Sequence, residues 1–177
     1  MRSEVQSPKS KTGIFVALGS NLGDSAQILH RAIERLRTLS NGPLLVSSLW
    51  QSAPVDCPPG SPAFVNAIVG LTPRPGETPE SLLAELQRIE QEFGRQPKKF
   101  LNEPRPLDLD LVAFGDEIRA TKDLVLPHPR AALRRFVLQP LGEIAPRLIL
   151  PGQTRTVMQL LGELPPDETV RRLGSSP

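Results

Sequence analysis

The sequence has few of the residues on which several common classes of protein depend. Its 177 residues include one cysteine, one tryptophan and no tyrosine. Because a lone cysteine cannot form an internal disulfide, the disulfide-stabilised secreted class is excluded, and we expect the chain in a reducing cytoplasm. The cysteine, Cys57, lies in a proline-rich loop with no histidine nearby to activate it. We therefore expect an uninvolved thiol.

Long apolar runs are also absent. No segment approaches the roughly 20 apolar residues that span a bilayer, and the chain does not open with the pattern of a secretion signal. The formal charge of +2 is small, whereas nucleic-acid-binding proteins more often carry a dense basic surface or clustered aromatic residues. These features favour a soluble protein with one globular domain.

Proline is abundant instead. Most of the 20 prolines lie between apolar segments, which indicates rigid loops on a compact scaffold. The distribution of apolar residues predicts a disordered leader over residues 1–12, a single domain over 13–163 and a loose C-terminal tail over 164–177.

Apolar periodicity predicts six main elements of secondary structure. Strands are expected at 13–18, 44–50, 64–71 and 107–114, and helices at 25–39 and 78–94. The order strand, helix, strand, strand, helix, strand predicts a ferredoxin-like α+β sandwich, a mainly antiparallel sheet with helices on one face. Further along the chain we expect a short strand, one or two helical turns between 127 and 140, and a short helix at 156–161.

Asp108 and Asp110 are the strongest local indication of chemistry. Being two residues apart on a predicted strand, they point to one face, with their Cα atoms about 6.5–7 Å apart. Two carboxylates so placed can bind Mg²⁺, although an isolated Asp-x-Asp is more often a solvated strand face. The apolar neighbours Leu107, Leu109 and Leu111 indicate a central strand, where a cation would offset the repulsion between the acids.

Many basic residues occur in the segments around this strand. They are Arg95, Lys98, Lys99, Arg105, Arg130, Arg134 and Arg135. Each alone could simply be solubilising, but together with paired acids they suit the phosphate oxygens of a triphosphate. No Gly-x-x-x-x-Gly-Lys-Ser/Thr loop and no kinase-type glycine loop occur, so neither of those devices would bind the nucleotide.

Other candidate residues are less distinctive. His128 lies in a rigid loop between two prolines and has a better claim to function than His30, which is expected on a helix surface or boundary. Phe64 and Phe136 adjoin loops, and on composition alone both are better explained as core residues.

Four segments together resemble the 6-hydroxymethyl-7,8-dihydropterin pyrophosphokinase family. They are VALGSNLG at 16–23, PAFVNA at 62–67, RPLDLD at 105–110, and LPHPR with RRFVL within 126–138. The resemblance covers the chain from about Gly13 to about Leu161. It implies a monomeric ferredoxin-like enzyme of folate synthesis that transfers pyrophosphate from ATP to the hydroxymethyl group of the pterin and releases AMP.

The resemblance also implies roles for individual residues. Asp108 and Asp110 would hold two Mg²⁺ ions, and Arg95 and Arg105 would join them in catalysis. The pterin would be contacted by Ser52, Val55, Phe64, Asn66 and Phe136, with the two phenylalanines on opposite faces of the ring and the asparagine at its polar edge. The ATP contacts would be Gln87, Glu90, Arg95, Lys98, Arg105, His128 and Arg134.

The loop 96–104 departs from the family pattern. The family commonly has a second arginine, a tryptophan and a glycine where this chain has Pro97, Asn102 and Glu103. The loop is polar and broken by prolines, so we expect the segment 95–104 to be mobile without ligand and to close over a bound triphosphate.

Two alternatives of other classes remain open. A ferredoxin-like RNA-binding module would need stacking aromatic residues on its central strands, where this chain has Asp108 and Asp110. A binding-only relative would hold nucleotide or pterin without turnover, which the altered loop 96–104 suggests. Release of AMP from ATP and the hydroxymethylpterin separates the three possibilities.

Overall fold

The protein, seen in a computed structural model, is described over residues 13–174. Its strands are β1 (Ile14–Ser20), β2 (Leu45–Val46), β3 (Trp50–Ser52), β4 (Phe64–Leu71), β5 (Asp108–Phe114), β6 (Arg119–Ala120), β7 (Val125–Leu126) and β8 (Arg171–Arg172). Its helices are α1 (Ser25–Arg37), α2 (Pro79–Glu92), α3 (Arg135–Ile144) and α4 (Val157–Glu163), with a 3₁₀ turn at Ala131–Leu133. The expected leader, residues 1–12, lies outside the described residues. No helix within residues 13–174 is long and apolar enough to cross a bilayer.

Six of the strands form one antiparallel sheet. Its order is β5-β1-β4-β3-β8, with β2 also paired to β4, and β6 pairs with β7 in a separate ribbon. Consecutive strands in the chain are interleaved, with β1 and β4 at the centre. The expected ferredoxin-like α+β fold is confirmed.

Helices cover both faces of the sheet, whereas the sequence predicted helices on one face. Alternate residues of β1 separate the two layers: Val16 and Leu18 pack in the cluster that contains α1 and α2. Phe15 and Ala17 pack with α3 and α4 on the other side. The second layer was missed because α3, expected as one or two helical turns, is a full helix despite Pro140 in its interior.

The strand β5 lies at an edge of the sheet, not at its centre as predicted. Its outer side is nevertheless covered: Leu109 N donates to the Glu90 carboxylate at 2.8 Å, and Val112 O accepts from His128 N at 2.9 Å. A register shift relative to β1 turns both Val112 and Ala113 toward the α3 layer. Burial of both faces explains why this edge strand is as apolar as a central one.

Local signals fix the starts of the two helices on the other face of the sheet. Asp24 caps α1 by accepting from Gln27 N at 3.2 Å. Thr78 caps α2 and proline takes its first helical position, the helix start that this segment indicates, and Thr78 with Ser81 forms a capping box there. These caps fix where each helix begins relative to the sheet.

Two segments differ from prediction. The expected strand 44–50 is divided into β2 and β3. The segment 164–173, expected within a loose tail, instead adds β8 to the sheet, where Arg171 faces Gln51 and Arg172 faces Trp50. The expected tail thus contributes one short strand to the sheet, and residues 175–177 lie outside the described part.

Candidate active site

A cavity lies on the α3 side of the sheet, where β1 ends and β4 and β5 begin. Its floor contains small residues of β1: Gly19 faces Asp108 on one side and Asn66 on the other, and Ala17 faces Asp110. A Cβ atom added to Gly19 would lie 3.6 Å from the Phe64 ring and 3.7 Å from Asn66 Oδ1. The missing side chain leaves space between an acidic edge and an aromatic edge.

The acidic edge is held by arginines. Arg95 Nη1 donates to Asp108 Oδ1 at 2.6 Å. Arg105 Nε lies 3.5 Å from Asp108 Oδ2, an ion pair without hydrogen-bond geometry, and this buried nitrogen has no hydrogen-bond partner among the described residues. Because a buried unpaired donor is costly, Arg105 is suited to meet a further anionic oxygen here.

Asp110 is partly buried without a compensating donor. No hydrogen bond to its carboxylate occurs within residues 13–174. Burial, together with the negative charges of Asp108 and Glu90, raises the pKa of Asp110 to about 7. A cation beside the carboxylate would reverse this effect.

The two aspartates fit a magnesium site completed by a ligand. No group of three or more histidine, cysteine, aspartate or glutamate side chains within 13–174 is placed to hold a metal. Mg²⁺ is commonly bound through one or two carboxylates, with water and substrate phosphates supplying the remaining oxygens. Asp108 and Asp110 match that donor set.

Glu90, expected to contact ATP, is buried and already engaged. Its carboxylate accepts from Leu109 N and from Arg95 Nη1, both at 2.8 Å. Burial raises its pKa, against the opposing effects of these donors. In this arrangement Glu90 holds Arg95 and the edge of β5, and it does not face the cavity.

Two arginines of the cavity lie over aromatic rings. Arg105 Cζ is 5.5 Å from the centroid of Phe64, and Arg134 Cζ is 5.4 Å from that of Phe136. These are cation–π distances. Each expected pterin-stacking ring is thus paired with an expected phosphate-binding arginine.

His128 is held as a neutral imidazole. Its Nδ1 accepts from Arg130 N at 3.2 Å, which leaves Nε2 as the donor. Burial and the charges of Arg134 and Arg130 lower the pKa of His128. The side chain lines the cavity and can offer an N–H without carrying a charge.

The polar end of the aromatic edge is fixed by Asn66. Its Nδ2 donates to Ser52 Oγ at 2.8 Å and to Trp50 O at 3.3 Å. These two acceptors orient the amide so that Oδ1 is left to accept from a ligand. Ser52 is itself buried, whereas Val55 is exposed at the cavity edge.

Ten of the expected site residues line one cavity. They are Ser52, Val55, Phe64, Asn66, Arg105, Asp108, Asp110, His128, Arg134 and Phe136. Arg95 reaches the site through Asp108. Gln87 and Lys98 are exposed and do not line the cavity.

The cavity also contains residues that were not expected in it. Asp56, Cys57 and Asn102 contribute to its lining. Arg130, the last residue of the LPHPR segment and one of the basic residues expected to suit phosphate, lines it as well. Asp56 and Cys57 carried no signal, because the path of a proline-rich loop is not readable from periodicity.

Comparison with known proteins identifies what the chain is similar to. The family described as 7,8-dihydro-6-hydroxymethylpterin-pyrophosphokinase (HPPK) matches residues 15–146. The 2-amino-4-hydroxy-6-hydroxymethyldihydropteridine pyrophosphokinase of Haemophilus influenzae is 41% identical over 139 residues, covering 78% of this chain and 84% of the relative. The protein of the same name from Pseudomonas aeruginosa is 37% identical over 153 residues, covering 86% and 91%.

Longer proteins also match. The folic acid synthesis protein of Pneumocystis carinii is 39% identical over 138 residues, which are 78% of this chain but 18% of that protein. Among solved structures, wild-type Plasmodium falciparum HPPK-DHPS with pteroate has a TM-score of 0.63 at 14% identity, covering 85% of this chain and 42% of that one. An HPPK-DHPS in complex with substrates has a TM-score of 0.66 at 13% identity, covering 85% and 43%. This chain spans less than half of these two structures, which support the fold alone.

Proposed function

Because the chain belongs to the 7,8-dihydro-6-hydroxymethylpterin-pyrophosphokinase family, we propose that it transfers pyrophosphate from ATP to the hydroxymethyl group of 6-hydroxymethyl-7,8-dihydropterin, a step of folate synthesis. The family expected from the four motifs is confirmed. The observation that carries the proposal is the cavity in which Asp108 and Asp110 face Phe64 and Asn66 across Gly19. One end suits metal and phosphate, and the other suits a flat heterocycle.

Asp108 and Asp110 would hold two Mg²⁺ ions together with the phosphate oxygens of ATP. Bound there, the ions would neutralise charge on the phosphoryl group and orient it for displacement. The carboxylates provide this site because they lie on one face of β5, with Arg95 fixing the orientation of Asp108. Burial and lack of a hydrogen-bond partner make Asp110 the carboxylate that gains most from a cation.

The chain's own residues bind and orient the triphosphate. Arg105, with its unpaired Nε, Arg134 and the neutral His128 all line the cavity where the phosphates would lie. The hydroxymethyl oxygen attacks the β-phosphorus as its proton passes to solvent, and the bond from that phosphorus to the α–β bridging oxygen breaks, so that AMP leaves with this oxygen. Because the substrate oxygen attacks directly, no protein nucleophile is required, and positioning with charge neutralisation provides the catalysis.

The pterin is bound at the aromatic end. Phe64 and Phe136 stack on its two faces, since a flat, electron-poor ring gains from an aromatic neighbour on each side. Asn66 Oδ1 accepts from a ring N–H, an orientation fixed by Ser52 and Trp50. Ser52 and the exposed Val55 complete the edge of this pocket.

Other assignments belong to the same proposal. Gln87 and Lys98 would contact ATP only after movement of the loop 95–104, and Glu90 would act by holding Arg95. Residues 13–163 would form one catalytic domain that acts as a cytoplasmic monomer. A ferredoxin-like RNA-binding surface is disfavoured, because the β1 and β5 residues that line the cavity include Asp108 and Asp110 and no aromatic residue.

The decisive experiment follows AMP release from ATP and 6-hydroxymethyl-7,8-dihydropterin with Mg²⁺. We expect AMP and pterin pyrophosphate in equal amounts, and no ADP. Asp110→Asn is the negative control, with Asp123→Asn as a matched surface variant. Binding of both substrates without AMP would favour the binding-only alternative, and ADP formation would contradict pyrophosphoryl transfer.

A further inference from the structure

The segment 164–173 lies against the strand that supports the aromatic end of the cavity. Leu173 N donates to Leu49 O at 2.9 Å, and β8 pairs with Trp50 and Gln51 of β3. The next residue of β3, Ser52, holds the amide of Asn66. The C-terminal segment therefore borders β3 on the side opposite β4.

Thr169 extends this contact beyond the end of β3. Its Oγ1 accepts from Ala53 N at 3.3 Å and donates to Asp167 Oδ1 at 2.7 Å. Asp167 Oδ1 also accepts from Thr169 N at 2.9 Å, which fixes the turn that presents the hydroxyl. Ala53 begins the loop leading to Val55, so the threonine hydroxyl takes the place of the sheet partner that this loop lacks.

The other end of the segment is bound by Arg135. Its Nη2 donates to Leu164 O at 2.9 Å and to Leu161 O at 3.3 Å, and its Nε donates to Pro165 O at 3.2 Å. These are carbonyls at the end of α4, which a cation stabilises. Arg135 directly precedes Phe136 at the start of α3. One segment thus connects the backbone beside Phe136 with the backbone beside Ser52.

From these contacts we infer that the segment 164–173 is a positioning element for the pterin pocket, with Thr169 as its positioning residue. It sets the separation between the loop that carries Val55 and the helix start that carries Phe136. This inference rests on the proposed function for its kinetic consequence, but the mechanical part, support of β3 and Ala53, stands on the hydrogen bonds alone.

Substitution of Thr169 tests the kinetic consequence. Thr169→Val keeps the shape and removes the acceptor for Ala53 N, whereas Thr169→Ser keeps the hydroxyl. We expect Thr169→Val to raise the KM for the pterin about 2- to 5-fold, with kcat and the KM for ATP unchanged, and Thr169→Ser to restore the wild-type value. Equal KM values for the pterin in all three proteins, or equal rises in both KM values, would overturn the role.

Proline substitutions at the end of the segment 164–173 test the mechanical part without turnover. Leu173 N points toward β3, and because successive N–H groups on a strand point to opposite sides, Arg172 N points away. Leu173→Pro should therefore speed amide hydrogen exchange at residues 49–53 at least several-fold in the ligand-free protein, while Arg172→Pro should leave it near wild type. Equal exchange in the two variants would contradict the inference.

The two experiments fail in different ways. A protein without pyrophosphokinase activity would still report on β3 by hydrogen exchange, so loss of the proposed function would not hide the mechanical result. If the enzyme is active and neither proline substitution changes hydrogen exchange at residues 49–53, the inference of a positioning element is wrong and the proposed function still holds.

Discussion

The side-chain amide of Asn102 donates a hydrogen bond of 2.7 Å to the backbone carbonyl of Asp56. The two residues belong to different loops, 95–104 and 53–62, and both line the cavity. Both have left-handed backbone, with φ of 54° and 52°, a conformation that asparagine and aspartate tolerate better than most residues. The bond joins the loop expected to cover the triphosphate to the loop that borders the pterin pocket.

Removal of the Asn102 amide should free the loop 95–104. Asn102→Gly suits the positive φ and removes the donor with the rest of the side chain, so the backbone conformation stays allowed. We expect faster amide exchange across 95–104 in the ligand-free protein and a KM for ATP raised about 2- to 12-fold, since one hydrogen bond contributes roughly 0.5–1.5 kcal/mol.

Asp56→Gly is the matched control. It keeps the accepting carbonyl and also suits a positive φ, so exchange across 95–104 should stay close to wild type. If Asn102→Gly exchanges no faster than Asp56→Gly, the bond does not hold the loop.

Ligands should protect the same loop. Arg95 and Arg105 are anchored at Asp108, but Lys98 and Lys99 are exposed and would gather around a polyanion only when it is bound. Hydrogen exchange across 95–104 should slow when a non-hydrolysable ATP analogue and pterin are both present. Equal protection in the free and bound protein would make the loop a fixed connector.

We expect Asp110 to lower the stability of the ligand-free protein and to be required for activity. Asp110→Asn removes one metal-ligand charge, so we expect turnover to fall by roughly 100-fold or more. The same change replaces a partly buried carboxyl that has no hydrogen-bond partner within residues 13–174 and is only partly protonated at pH 7, so the ligand-free variant should be more stable at pH 7, by roughly 1–3 kcal/mol. Thermal unfolding measures the change in stability, and Mg²⁺-dependent AMP release measures the change in activity. Full turnover by the variant would overturn the metal assignment.

The sign of the pH dependence follows from the same carboxyl. The folded protein keeps the proton on Asp110 up to a pKa of about 7, whereas the unfolded chain releases it near the ordinary value of 3.8. Between these values the unfolded state binds fewer protons, so the free energy of unfolding of the ligand-free protein should fall as pH rises. Asp110→Asn should weaken this fall, and Asp123→Asn should not. Denaturant unfolding at a series of pH values between 5 and 8 measures this change in the free energy of unfolding.

The fold was predictable wherever a local signal agreed with the packing. Strand β4 and the start of α2 at Thr78 lie where the sequence placed them. The failures concern elements stabilised by distant partners. The two-residue β8 has no apolar periodicity, and it forms because β3 offers an open edge. Helix α3 contains Pro140, and an interior proline argues against a helix when the prediction rests on sequence alone.

The site was predictable to the extent that residues lie on regular strands. Asp108 and Asp110 share a face because strand alternation requires it. The burial of Glu90 could not be predicted, since it depends on β5 being an edge strand whose Leu109 N needs an acceptor. The link between Asn102 and Asp56 depends on two loop conformations that no periodic pattern determines.

Phe64 and Phe136 both line the cavity, and an arginine lies over the ring of each. Leucine at either position keeps apolar volume but removes the π face, so pterin binding should weaken roughly 2- to 10-fold while ATP binding changes less. Phe15→Leu is the matched control, because Phe15 is buried on the same face of the sheet and outside the cavity. It should lower the thermal unfolding midpoint without altering the ratio of the two affinities, measured by titration calorimetry. If Phe64→Leu or Phe136→Leu behaves like Phe15→Leu, the rings are core residues and the pterin must bind elsewhere.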